Sequence, residues 1–168
     1  MKASELKTIE VDGRKIPKKH ASFYRNFRDE VMLLIESKGK GKIGEFILVG
    51  PDLFHLMCRL VTDPRVRIKD KAKLFGAIAY FTSPVDLIPA AVFGPIGFAD
   101  DIALSAYVIN SLLSNTSQEV LREHWAGQGD VLETIQNIIA SADDIIGGGF
   151  MKRLMKLADG EEVEEHIV

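Results

Sequence analysis

Three prolines, Pro84, Pro89 and Pro95, fall inside the least charged stretch of this 168-residue chain. Between residues 74 and 99 the single charge is Asp86. Proline removes an amide donor and clashes with the turn before it, so it ends helices. The stretch is therefore cut into apolar pieces, residues 74–83 before the prolines and 102–113 after them. Crossing a bilayer takes about 20 continuous apolar residues in a helix, and neither piece reaches that. The layout predicts two helices folded back on each other, a proline-broken hairpin buried in a protein core. A shallow or re-entrant contact with lipid is the competing expectation.

The acids around this break carry the main candidate site. The runs Ser83-Pro84-Val85-Asp86-Leu87-Ile88-Pro89 and Gly97-Phe98-Ala99-Asp100-Asp101 set three carboxylates among prolines and glycines. Ser83 suits a helix N-cap, Pro84 the first helical position and Asp86 the third. There a carboxylate accepts from free amides and meets the positive end of the helix dipole. Asp100 fits the same part for the next helix. On this reading the motif is a folding device, each cap contributing on the order of 1 kcal/mol. The alternative is a divalent-cation or general-base site built from Asp86, Asp100 and Asp101, because hard cations take several oxygen ligands. Against it, neighbouring helical residues point about 100 degrees apart, and no histidine lies nearby in sequence.

The rest of the chain reads as helix with one exception. Thr8-Ile9-Glu10-Val11 and Arg14-Lys15-Ile16 flank Asp12-Gly13, a hairpin turn signal, so a short β-ribbon is expected in an N-terminal appendage over residues 1–20. Phe23, Phe27, Val31 and Leu34 recur at helical spacing, and that helix should stop near Ser37. Pro51 suits the first turn of a helix with Leu53, Leu56, Met57, Leu60 and Val61 inside and His55, Arg59 and Asp63 on the other side. Asp63-Pro64 interrupts the pattern before a long helix over residues 68–82. Another opens at Asp100 or Asp101 and runs to about Leu113. Thr116 with Glu119, and Asp130 with Glu133, fit N-terminal capping devices. Val131, Ile135, Ile138, Ala142 and Ile145 form the clearest apolar stripe, ended by Gly147-Gly148-Gly149. Trp125 should anchor a helix end, and residues 159–168 form an acidic tail. The fold class expected is all-α: a compact single-domain helical bundle of six or seven helices over residues 1–168.

Charge is unevenly spread. Through Lys73 the chain carries 17 Lys and Arg against 10 Asp and Glu; from Leu74 onward it carries 4 against 14. Such a split gives either two faces that attract each other or a basic surface for an anionic partner. Gly39-Lys40-Gly41-Lys42-Ile43-Gly44 spells a dinucleotide-type glycine motif, yet helical periodicity precedes it where a strand is needed. The lysines of residues 38–42 could touch an anion instead. No aromatic platform accompanies them, which argues against nucleic acid. His20, His55, His124 and His166 show no metal-ligand spacing. The lone Cys58 excludes a disulfide framework, reads as a small buried hydrophobe and fits a reducing compartment. The first residues lack a secretory core, so the cytoplasm is the expected location.

Asp63-Pro64-Arg65-Val66, Tyr80, Ser83-Pro84-Val85-Asp86-Leu87-Ile88-Pro89, Gly97 and Asp100-Asp101 together resemble the YkvA-like domain of unknown function, over roughly residues 51–113. Ala90 stands where that family commonly has an acid, which weakens the case for a complete ligand set. The resemblance implies a small helical domain, often membrane-associated, with no established reaction. Two functions are carried forward. One is a non-enzymatic interaction or scaffold module, with a protein partner or an anionic membrane surface at the inner face of the membrane. The other is a metal-dependent, hydrolase-like enzyme using the Asp cluster. The oligomeric state is not legible.

Overall fold

The computed structural model describes residues 8–11, 14–38, 42–82 and 99–146. Strands β1 (Thr8–Val11) and β2 (Arg14–Pro17) pair antiparallel, with Ile9 opposite Ile16 and Val11 opposite Arg14. The turn expected at Asp12-Gly13 lies outside the described residues. A 3-10 turn, Lys18–His20, leads into seven α-helices among the described residues. They are α1 (Ala21–Lys38), α2 (Lys42–Leu48), α3 (Gly50–Val61), α4 (Ile68–Thr82), α5 (Ala99–Leu112), α6 (Gln118–His124) and α7 (Val131–Ile146). The helical expectation holds, with the small β-ribbon beside it.

The helices on either side of the proline-rich link, α4 and α5, pack against each other, and α7 packs on α5. The link itself, with Ser83, Pro84, Asp86, Pro89, Pro95 and Gly97, lies outside the described residues. The glycine run after α7, the acidic tail and Gly39 to Gly41 do so as well.

Helices α3 and α5 form the centre because both are apolar on nearly every side. Leu53, Phe54, Leu56, Met57, Cys58 and Leu60 of α3 are all 0% exposed. Cys58 is thus the buried hydrophobe expected of it, and burial pushes its thiol pKa up. His55 departs from expectation. Its outer-face assignment fails, because it is only 5% exposed: the ribbon and α1 cover the side of α3 that periodicity alone leaves to water. His55 Nε2 lies 3.0 Å from the Lys15 carbonyl. Since a carbonyl only accepts, Nε2 donates.

Where α1, α3 and α4 meet, aromatic rings fill the core. Phe23 and Phe54 have centroids 4.9 Å apart, Phe27 and Phe81 5.1 Å, and Phe54 and Phe81 5.4 Å, the spacing at which tilted rings attract. Gly50 permits this close packing. A Cβ there would lie 2.7 Å from Phe27 Cζ and 2.9 Å from Ile102 Cδ1. The stripe Val131, Ile135, Ile138 and Ala142 faces inward on α7 as its spacing predicts.

One cap is shifted and one is as read. The α6 cap is Ser117, whose Oγ accepts from Glu119 N at 3.2 Å, not Thr116. Thr116 N still bonds back to Leu112 O at 2.8 Å, so Thr116 belongs to the turn that closes α5. Asp130 Oδ2 accepts from Glu133 N at 3.2 Å at the start of α7, as read.

Candidate functional site

Asp100 and Asp101 occupy the first turn of α5, where a carboxylate faces the positive end of the helix. Both are closed off from water, at 2% and 1% exposure. Tyr80, near the end of α4, donates its hydroxyl to Asp100 Oδ2 at 2.9 Å. This bond joins the end of the helix before the proline-rich link to the start of the helix after it. Ser105 Oγ donates back to Asp101 O at 2.7 Å, which anchors the same turn. No group of three or more His, Cys, Asp or Glu among the described residues is placed to hold a metal ion. The remaining members of the sequence motif, Ser83, Pro84, Asp86, Pro89 and Gly97, are outside those residues.

The structure also assembles a polar cluster that spacing did not reveal. Asp63 follows α3 and makes a local turn in which Oδ1 accepts from Arg65 N at 2.8 Å and from Arg65 Nε at 3.0 Å. Its Oδ2 accepts from Arg65 Nη2 at 2.7 Å and from His124 Nε2 at 2.7 Å. Arg65 Nη2 reaches on to Glu123 Oε2 at 2.6 Å. The α3–α4 turn is thereby clamped to the end of α6. The Arg65 guanidinium, with help from His124, holds the Asp63 carboxyl well below the usual carboxylate range. Asp63 and then Glu123 push the Arg65 pKa up, and Arg65 in turn lowers Glu123. Asp63-Pro64-Arg65 was visible as a motif. His124 was not, because 61 residues separate it from Asp63.

A third cluster ties the ribbon to the helices. Arg14 donates to Asp52, to Tyr24 Oη at 3.0 Å and to Ala126 O at 3.0 Å. Partial burial works against its charge, but Asp52 and Tyr24 outweigh it and leave the Arg14 pKa raised. These polar groups are thus engaged in holding elements together.

The surface around the start of α4 is different. Ile68, its first residue, is 86% exposed. Ile68, Lys71 and Phe75 fall at i, i+3 and i+7, one face of the helix. The Lys19 ammonium sits 5.8 Å from the Phe75 ring centroid, which brings the 3-10 turn alongside that face. Lys18, Lys19 and Lys69 are exposed and Lys71 is half-buried. None of these four makes an ion pair among the described residues, whereas Arg65 and Arg67 are taken by Asp63 and Asp70. No helix among the described residues is long and apolar enough to cross a membrane.

Residues 70–107 match the family described as "Protein of unknown function (DUF1232)". The resemblance to a domain of unknown function is borne out at that level, in the stretch that covers most of α4, the proline-rich link and most of α5. An "Uncharacterized protein ORF9" from Methanothermobacter thermautotrophicus is 23% identical over 107 residues, covering 62% of this chain and 73% of that protein. No solved structure matches the chain.

Proposed function

We propose that this chain is a non-enzymatic helical docking module of the cytoplasm that settles peripherally on an anionic membrane surface at its inner face. The observation that carries this reading is Ile68, 86% exposed at the tip of α4, with Lys69 and Lys71 beside it on the helix making no ion pair among the described residues. A single exposed apolar side chain is ordinary. Its setting beside lysines that make no ion pair among the described residues is what gives it meaning. Each lysine near an anionic leaflet contributes about 1 kcal/mol, and burying the isoleucine adds about 1.5–3 kcal/mol. Lysine is depleted at protein–protein interfaces, which favours a lipid surface over a protein partner here.

The described acids of the alternative metal site point inward. Asp100 already accepts from Tyr80 and is 2% exposed, so it serves the junction of α4 and α5.

The test is flotation with vesicles of phosphatidylcholine alone and of phosphatidylcholine mixed with phosphatidylglycerol. The protein should float with the anionic vesicles only. It should be released when salt is raised to about 1 M, where charge is screened within about 3 Å. Absence of flotation with the anionic vesicles at low salt overturns the proposal.

A further inference from the structure

On the side of the molecule that carries α2 and α7, two cavities of about 330 and 240 Å³ share Glu45, Val49 and Thr134, and so form one groove. Its floor at the wider end holds the Arg14–Asp52 ion pair. Because Asp52 is spent on Arg14, the excess charge of the groove is the Glu45 carboxylate. Glu45 is exposed, lines both cavities, and has no ion pair among the described residues.

Around that charge the walls are mixed, with Thr134, Asn137, Ser141 and Gln128 among apolar and aromatic side chains. Leu48 and Trp125 line the wider cavity, and Phe46 and Ile138 the narrower one. Trp125 is held in place. Its Nε1 donates to Gly129 O at 3.2 Å, and Gly129 has φ 71°, a conformation suited to glycine. A Cβ on Gly127 would lie 2.3 Å from the indole, so the bare backbone packs directly on the ring.

A carboxylate with no ion pair among the described residues, in one groove with a fixed indole and with Leu48 and Val49, is complementary to a cation on an apolar stem. Trp offers the best ring face for such a cation. We infer that the groove between α2 and α7 binds an alkylammonium group, with Glu45 facing the charge and Trp125, Leu48 and Val49 lining the stem. The ammonium comes either from a free aliphatic amine or from a lysine side chain of a partner.

Trp125 is the single tryptophan of the chain, so its fluorescence reports on the groove directly. The full chain is titrated with cadaverine and, separately, with Nα-acetyl-lysine methylamide, at fixed ionic strength. The expected result is a saturable change with at least one probe. It should weaken by up to about fivefold in Glu45→Gln, the upper end for one exposed ion pair. It should be unaltered in Glu30→Gln, an exposed position on α1. Saturation by cadaverine alone assigns a free amine, and saturation by the capped lysine alone assigns a partner's side chain; both support the site. A change that never saturates with either probe, or equal affinity in Glu45→Gln and the unsubstituted chain, overturns it.

Discussion

Tyr80 and Asp100 show how a single side-chain pair can stand for a whole junction. A buried carboxylate is costly unless hydrogen bonds offset its lost hydration. The Tyr80 hydroxyl supplies one such bond, to Oδ2 at 2.9 Å, while Oδ1 has no partner among the described residues; the bond fixes where α5 begins relative to α4. Tyr80→Phe removes the donor and leaves the acid in place. Urea denaturation should show a loss of about 1–3 kcal/mol, the range for a buried acceptor left without its donor. An unchanged midpoint would mean that the bond does not support the junction.

Two histidines set the acid sensitivity. Burial lowers His55 from an ordinary 6.5 to about 4, with Arg14 adding to the shift. Burial followed by Lys19 brings His20 to about 4 as well. The unfolded chain therefore takes up protons as pH falls below 6.5, while the folded chain takes them up only near 4. Stability should decline across that window as pH falls. Asp63 acts lower down. Its folded pKa is depressed by Arg65, so its contribution is present above its ordinary 3.8 and is lost as pH drops further. Urea midpoints measured from pH 7 downward should trace both segments, and His55→Gln should flatten the upper one while sparing the lower. A midpoint that stays level between pH 6.5 and 4 contradicts the account.

Among the elements, the clamp from the α3–α4 turn to α6 makes the sharpest prediction. Asp63 is nearly buried while the Arg65 side chain is 47% exposed. Breaking the pair should cost less than the full penalty of a buried one, about 2 kcal/mol for Asp63→Asn. His124→Gln should cost less again. The double variant should fall short of the sum, because both changes act on one network. Strict additivity in denaturant unfolding would show that His124 and Asp63 are not coupled.

The same elements show what the sequence exposes and what it hides. Helix α4 was legible residue for residue, Ile68 to Thr82, because Asp63-Pro64 and the later prolines bracket one apolar period. The α7 stripe and the Asp130 cap were legible because capping and amphipathicity are local. His55 was misread since a helix buried all round has no outer face for period to find. The Arg14–Asp52 and Asp63–His124 pairs join residues 38 and 61 positions apart, and no local pattern encodes such distances. Of the candidate site, the place of Asp100 and Asp101 at a helix start was legible, but the partner Tyr80 was not assigned to Asp100.

For the molecule as a whole, buried acids and exposed lysines take different parts. Acids near its centre are buried, capped or paired, as Asp63, Asp70 and Asp100 show. Lys69 is left to solvent beside Ile68 at the tip of α4, and Lys18 and Lys19 on the turn before α1 are exposed as well. Docking through that tip would need no reaction and no rearrangement of the core. The most direct measurement is flotation of Ile68→Asp and of Lys69→Glu/Lys71→Glu with phosphatidylglycerol vesicles, alongside thermal melts. The account predicts that both variants lose the vesicles while melting as the unsubstituted protein does. Retained flotation in both, with unchanged melting, would contradict it.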